Sequence, residues 1–287
     1  MRTIFWYSLG RMRSQILGWG LCLGLLGGYL VSFYDTLVQQ EAQLLEMVKA
    51  YPPEVMAFFG DMNKLFTPGG YLNTEFFSYM PIVLGIYAVL AGSGLLASDE
   101  ENGTLDLLLA HPVSRAEIYF GRLGAFLVAL VGIHALAWLG FWLFVPGTTM
   151  DIMPGELALP FLSLLAEMIL FGALALLFSM LLPSRSMAAM VSGLLLVTSY
   201  FISSLAKIDE NLRQVAKVSP LNYYQGGEAL EGMKWSWFLG LLVVALGFVL
   251  LAWQFFERRD IRVVGEGSFR LPIFSRKKGY SHAGTRD

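Results

Sequence analysis

Six long stretches of the chain are almost entirely apolar, and shorter polar pieces separate them. A helix of about 20 apolar residues is long enough to cross the hydrocarbon core of a lipid bilayer. The pattern therefore predicts six transmembrane helices and an all-α integral membrane protein. The predicted spans are residues 15–34, 79–97, 123–145, 157–182, 188–206 and 235–256.

The polar pieces between these spans are too short to form domains of their own. The longest, residues 35–78, has 44 residues, whereas independent domains commonly have about 100 or more. We therefore expect three parts in the chain: an amphipathic N-terminal segment at residues 1–14, a six-helix transmembrane domain at residues 15–256 and a basic tail at residues 257–287.

The composition agrees with a membrane protein and excludes several other classes. Apolar residues make up 56% of the chain and charged residues 15%, against about 25% charged in soluble proteins. The net charge of −2 gives no basic field for nucleic acid. Cys22 is the single cysteine and there are three histidines, so we expect neither an intrachain disulfide nor a metal site.

The distribution of basic residues predicts how the chain is oriented. Fourteen of the 20 Lys and Arg residues lie in the pieces on the same side as the N-terminus. Cytoplasmic loops carry an excess of these residues. We therefore expect a multi-pass protein of the cell membrane with both termini in the cytoplasm.

Glycines and turn residues predict local features of the spans and of the outer pieces. The glycines of the first two spans, including Gly24 and Gly92, would let helices approach closely. In the first outer piece we expect a helix at residues 54–59 and a loop through Pro68-Gly69-Gly70, and in the second a turn between short helices at residues 207–234.

The cytoplasmic piece after the second span has a different pattern. Gly103 interrupts the incoming helix, Thr104 is a suitable N-cap, and Pro112 ends the pattern barely two turns later. Ser114 and Glu117 then form a capping box that starts the next helix. The result is a short leucine-rich helix at residues 104–110, which is too apolar for a solvated loop and too short to span the membrane. We therefore expect its apolar face to dock into something.

The run EENGTLDLLLAHPVSR at residues 100–115 resembles the cytoplasmic signature of ABC-2 type transporter permeases. The basic N-terminal segment, the six spans and the Ser-Pro-Leu-Asn-Tyr-Tyr stretch at residues 219–224 are also similar to that family. The resemblance implies a type V exporter-like fold whose short coupling helix inserts into a separate ATPase subunit. It further implies a prokaryotic permease dimer, formed with a second copy or a paralogue, and two ATPase copies.

By the same resemblance, the docking surface would combine leucines that fill a groove with charged flanks that set the register. Its implied members are Glu100, Glu101, Gly103, Thr104, Leu107, Leu108, His111, Pro112 and Arg115. The chain itself has no lysine followed by Ser or Thr, as a phosphate-binding Walker A loop requires. We therefore expect no catalytic residue and no cofactor in this chain, with ATP and Mg²⁺ bound by the partner ATPase.

Three other functions stay open. His134 and Glu167 are ionisable residues at membrane depth and could serve an ion- or proton-coupled transporter. Ser93 with His134 could form the nucleophile and base of an intramembrane protease, although the His-Glu-x-x-His motif of zinc proteases is absent. The third is a non-transporting scaffold whose basic tail binds anionic lipid. The transported substrate does not follow from the sequence.

Overall fold

The computed structural model describes residues 1–43, 46, 62–101, 113–206 and 209–258, and within these ranges it is helical with no strand. Among the described residues, six helices are long and apolar enough to cross a membrane, which confirms the predicted all-α protein with six transmembrane helices. They are α1 (Arg2–Gln39), α2 (Met80–Glu101), α3 (Arg115–Phe144), α4 (Pro154–Leu181), α5 (Arg185–Leu205) and α6 (Trp235–Arg258).

Helix α1 is much longer than the hydrocarbon is thick. Its 38 residues extend for about 57 Å at 1.5 Å per residue, against a hydrocarbon thickness of about 30 Å. Residues 2–14, which the sequence sets apart as an N-terminal segment, are therefore the first turns of the same helix.

Local capping explains where several of the helices begin. At α3, the Glu117 backbone N–H donates to Ser114 Oγ and the Ser114 N–H donates to Glu117 Oε2, both at 3.2 Å, which confirms the predicted capping box. Helix α5 begins in the same manner, because Ser184 Oγ accepts from the Met187 N–H at 3.2 Å. Such caps satisfy backbone donors that have no partner within the helix.

Helix α4 lies at the centre of the bundle, where it packs against α2, α3, α5 and α6. Helix α1 packs mainly along α3. Consecutive helices run in opposite directions, so that the ends near Met1 and Glu117 meet on one side, with a 2.6 Å ion pair between the two residues. We call this the inner side, and the opposite one the outer side.

Glycines permit close backbone contacts at two helix crossings. A Cβ atom on Gly140 of α3 would lie 2.2 Å from the Cα of Gly24 on α1, and one on Gly92 would lie 2.2 Å from the Gly172 carbonyl oxygen of α4. Real Cβ atoms do not approach this closely. The predicted role of Gly24 and Gly92 in close packing is therefore confirmed.

Short helical segments form a cap on the outer side. They are Met62–Leu65, Pro68–Leu72, the π-helical Asn73–Phe77, the 3-10 segments Val145–Gly147, Glu210–Leu212, Pro220–Tyr223 and Gly226–Glu231, and the α-helical Arg213–Ala216. Hydrogen bonds join the two outer pieces: the Tyr224 hydroxyl donates to the Phe77 carbonyl at 2.8 Å, and the Gly227 N–H donates to Asn73 Oδ1 at 2.9 Å.

The loop predicted through Pro68-Gly69-Gly70 is wrong, because these residues begin a helix. Thr67 caps it by accepting a hydrogen bond from the Gly70 N–H at 3.2 Å. Proline is favourable at the first helical position, where its missing N–H costs nothing. The helix predicted at residues 54–59 falls outside the part of the chain that the structure describes.

We predict that Gly140→Ala destabilises the bundle by about 1–3 kcal/mol, the usual cost of overpacking. The added methyl group would collide with the backbone of α1, which cannot yield as a side chain could. The measurement is the unfolding temperature in detergent. Gly18→Ala is the matched control, because open space surrounds a Cβ at that position of α1. An equal loss in both variants would contradict the glycine crossing.

Candidate functional site

The residues of the predicted docking surface follow α2 and precede or begin α3 in the sequence, apart from Glu100 and Glu101, which end α2. Six of its implied residues fall on a part of the chain that the structure does not describe: Gly103, Thr104, Leu107, Leu108, His111 and Pro112. The flanking residues Glu100, Glu101 and Arg115 are described. Glu101 ends α2 and Arg115 begins α3, so these residues flank the segment in the sequence.

Glu101, the last residue of α2, is bound to the start of α5. Its Oε1 accepts a hydrogen bond from the Arg185 backbone N–H at 2.9 Å. A carboxylate is favourable there because the first turn of a helix has unsatisfied donors and a partial positive charge. Glu100, one residue earlier, is half-buried. The inner ends of α2 and α5 are therefore linked directly.

Arg115, the first residue of α3, is bound to the end of α6. Its Nη1 donates to the carbonyl oxygens of Phe256 at 3.0 Å and Glu257 at 3.2 Å. The guanidinium carbon lies 6.0 Å from the centre of the Phe256 ring. The last carbonyls of a helix carry a partial negative charge, which a guanidinium neutralises well. The segment that carries the predicted docking helix is thus attached to α5 at one end and to α6 at the other.

A buried ion pair joins α2 and α3 close to the same segment, and the sequence reasoning missed it. Asp99 and Arg122 form this pair, and both are more than nine-tenths buried. Arg122 Nη1 also donates to the Leu95 carbonyl at 2.7 Å. The positions of the two residues in the sequence could have indicated the pair. Each lies within two residues of the end of a predicted span, where an unpaired charge would be costly.

His134 and Glu167 are both buried but do not form a pair. His134 Nδ1 lies 2.8 Å from the Leu130 carbonyl oxygen of its own helix, and its Nε2 has no hydrogen-bond partner among the described residues. Neither carboxylate oxygen of Glu167 has a partner in that part of the chain. The structure therefore gives no hydrogen bond between the two residues that a proton relay would use.

Ser93 and His134 are likewise not arranged as nucleophile and base. The Ser93 hydroxyl donates to the Leu90 carbonyl of its own helix at 3.2 Å. An activated serine would instead donate to the imidazole at about 2.6–3.2 Å. The geometry of an intramembrane serine protease is therefore not assembled in this structure.

A cavity of about 490 Å³ lies at the outer side and was not predicted either. Aromatic and amide side chains line it together with a few charged ones: Tyr200, Tyr224, Trp237, Asn73, Asn222, Gln225, Arg213, Lys217 and Glu228. Burial raises the pKa of the Tyr224 hydroxyl well above its ordinary value, and the nearby Glu167 carboxylate adds to this effect. Glu167 therefore interacts electrostatically with Tyr224, although it is not among the residues that line the cavity. The Ser-Pro-Leu-Asn-Tyr-Tyr stretch could have indicated this cavity in the sequence, since it supplies several of the lining residues.

Comparison with known families matches residues 11–261 to the family model described as ABC-2 family transporter protein. The chain belongs to the ABC-2 transporter family. The match begins within α1, covers the other five long helices in full and includes Glu101 and Arg115. The predicted family is therefore confirmed, and with it the assignment as a transmembrane transporter protein.

Two relatives of this ABC-2 protein come from Bacillus subtilis (strain 168). The uncharacterized membrane protein YdbK is 26% identical over 205 residues, which cover 66% of this chain and 83% of YdbK. The uncharacterized protein YhcI is 26% identical over 204 residues, which cover 63% of this chain and 65% of YhcI. Both names leave the transported substrate undefined.

Membership of the ABC-2 family carries two general consequences. Proteins of this family are non-enzymatic transmembrane components of ATP-binding cassette transporters, and they generally pair with ATPase subunits. This ABC-2 protein is accordingly a membrane protein with six apolar helices that serves as a permease.

We predict that Asp99→Asn destabilises this ABC-2 permease by about 3–5 kcal/mol, because it leaves the buried Arg122 charge without its partner. The measurement is the unfolding temperature and the monodisperse fraction in detergent. Glu210→Gln is the matched control, since its ion pair with Arg213 is largely exposed and such pairs contribute at most about 1 kcal/mol. A loss for Asp99→Asn no larger than that of the control would show that the buried pair does not stabilise the inner ends.

Proposed function

We propose that this ABC-2 protein is the membrane-spanning subunit of an ATP-driven exporter that couples to a separate ATPase subunit through a helix at residues 104–110. Family membership supports the permease role. The lack of a lysine followed by Ser or Thr supports hydrolysis in another polypeptide. ATP and Mg²⁺ are then bound by the partner, and this chain needs no cofactor.

The observation that carries the proposal is the attachment of the docking segment at both ends. Glu101 binds the start of α5 and Arg115 binds the end of α6. The Asp99–Arg122 pair holds α2 and α3 together between these two anchors. A movement of residues 102–114 would therefore be transmitted to α2, α3, α5 and α6 through direct polar contacts.

The segment itself has the composition of a docking element. Its leucines, Leu107 and Leu108 among them, would fill an apolar groove of the ATPase. The flanking charges, Glu100 and Arg115, would fix the orientation. Closure of the ATPase dimer on ATP would then move the segment and switch the permease from an inward-open to an outward-open state.

The same proposal specifies the subunits of the complex and the membrane in which it lies. Two permease copies, or this chain and a paralogue, would pair with two ATPase copies in a prokaryotic cell membrane, with both termini in the cytoplasm. The excess of Lys and Arg in the pieces on the inner side supports the orientation, and the Bacillus relatives support the origin. The cavity at the outer side has the position expected of an exit for substrate.

We predict that the double substitution Leu107→Asp and Leu108→Asp weakens binding of the ATPase subunit by at least about thirtyfold. Loss of a central apolar anchor costs about 2 kcal/mol or more, and each 1.4 kcal/mol is tenfold. The chain would be co-expressed with an ABC ATPase encoded in a neighbouring reading frame. Co-purified ATPase and its hydrolysis rate are then measured.

The matched control is Val215→Asp with Val218→Asp, which makes the same chemical change at two exposed positions of the outer side. This control should bind the ATPase as well as the unaltered chain does. If the leucine variant formed the complex normally and kept the full hydrolysis rate, residues 104–110 would not be the docking helix.

The second candidate function, ion- or proton-coupled transport, is kept because Glu167 is fully buried and neither of its oxygens has a hydrogen-bond partner among the described residues. Such intramembrane carboxylates commonly serve ion pathways. In an ATP-driven exporter, however, Glu167→Gln preserves the shape of the side chain and removes only its ability to exchange a proton.

We predict that Glu167→Gln retains ATP-driven transport between about pH 5.5 and about pH 8, the range in which a carboxylate–histidine relay would titrate. Stimulation of the ATPase by the permease, measured in vesicles, is the readout. A flux that a pH gradient drives without ATP, and that this substitution abolishes, would overturn the ATP-driven proposal in favour of proton coupling.

A further inference from the structure

A second cavity, of about 250 Å³, lies at the inner ends of four helices and is strongly basic. Three arginines line it from three different helices: Arg11 of α1, Arg122 of α3 and Arg185 of α5. Asp99 is the one acidic residue among the lining residues. The cavity therefore has a net charge of about +2 at neutral pH, when carboxylates and guanidinium groups are ionised.

Two of the three arginines, Arg122 and Arg185, are held in place by contacts with the helices around the cavity. Arg122 is buried beside Asp99, and its Nε has no hydrogen-bond partner among the described residues. Arg185 extends across α2, where its Nη2 lies 3.4 Å from the Leu90 carbonyl oxygen. Gly94 provides the space for this side chain, since a Cβ there would stand 3.0 Å from Arg185 Nε. The guanidinium groups of Arg122 and Arg185 are thus fixed at the cavity. The Nε–H of Arg122 is a buried donor that has no acceptor among the described residues.

The other polar groups of the cavity are neutral and suit an anion with several oxygens. They are the hydroxyls of Ser8 and Ser98 and the amide of Gln15. The Gln15 Oε1 already accepts from the Tyr87 hydroxyl at 3.3 Å. A phosphate group accepts hydrogen bonds from guanidinium and hydroxyl donors, and arginine is the residue best matched to its geometry.

The predicted spans place the cavity near the depth of the lipid phosphates. Arg11, Arg122 and Arg185 precede the first, third and fifth predicted spans by one to four residues. Its lining also includes Leu90, which is half exposed, and Ile86 is half exposed one helical turn further into the bilayer. These two residues continue the cavity as an apolar surface along α2. The depth of the cavity does not depend on which side of the membrane is cytoplasmic.

We propose that this cavity binds the phosphate group of an anionic phospholipid, with the arginines around the headgroup and an acyl chain along Leu90 and Ile86. Basic pockets between transmembrane helices bind such headgroups. A soluble phosphate compound shares the headgroup chemistry but would make no use of the apolar surface. The proposal is independent of the ATPase partner.

The test compares lipid binding to the full chain with binding to the variant Arg11→Gln with Arg185→Gln. Phosphatidylglycerol, phosphatidylcholine and inorganic phosphate are each titrated into detergent-purified protein, with the unfolding temperature and native mass spectrometry as readouts. The unaltered chain should retain phosphatidylglycerol in preference to phosphatidylcholine. Each charge contributes about fivefold, so the double variant should bind phosphatidylglycerol about 25-fold more weakly.

The matched control is Arg2→Gln with Arg13→Gln, which removes the same charge from exposed positions of α1 that do not line the cavity. It should keep the preference for phosphatidylglycerol. An equal loss in this control, or no preference in the unaltered chain, would overturn the site. Stabilisation by inorganic phosphate that equals that by phosphatidylglycerol would overturn the lipid as its source. If the double variant unfolds, Arg11→Gln alone, at an exposed position, gives the same comparison with a fivefold effect.

Discussion

The hydrocarbon of a bilayer offers no hydrogen-bond partner, and this constraint decides where the polar groups of the chain lie. The backbone satisfies it by forming helices throughout the six spans. Hydroxyls at membrane depth satisfy it locally, as Ser93 and Ser179 do by donating to carbonyls of their own helices. Charged side chains such as Glu101 and Arg115 lie at the helix ends, outside the hydrocarbon, and bind partners there. In the part of the chain that the structure describes, polar contacts at the inner ends join α2 to α3, α2 to α5 and α3 to α6.

This concentration of charge at the inner ends gives the bundle a mechanical property. Apolar contacts between helices are numerous, but the hydrophobic effect behind them is not directional. The contacts of Glu101 and Arg115 are directional, because each joins a side chain to backbone groups at the end of another helix. A force applied between these two residues is consequently passed to α5 and α6 at fixed points. Such a link is what the proposed coupling to a separate ATPase subunit requires.

Features set by a few neighbouring residues could be predicted from the sequence, and features set by distant contacts could not. The six spans and the Ser114–Glu117 capping box each depend on one stretch of chain. The Asp99–Arg122 pair and the outer cavity depend on how separate helices pack, which hydrophobic periodicity does not reveal. The helix at Pro68 was missed for another reason: Pro-Gly-Gly usually marks a turn, yet Thr67 and the packing of Gly69 against the Gly227 carbonyl make a helix favourable.

Glu167 is one of several buried groups that depart from the rule that polar groups are satisfied, since neither of its carboxylate oxygens has a hydrogen-bond partner among the described residues. A buried carboxylate without a hydrogen bond is costly, so a fold retains one only where something offsets the cost. His134 does not do so, since it contacts the backbone of its own helix. The outer segment reaches the same helix, because the Gln225 N–H donates to Ser163 Oγ at 3.0 Å, one turn from Glu167. In the part of the chain that the structure describes, this portion of α4 is therefore hydrogen-bonded to the outer segment, whereas no hydrogen bond joins Glu167 to His134.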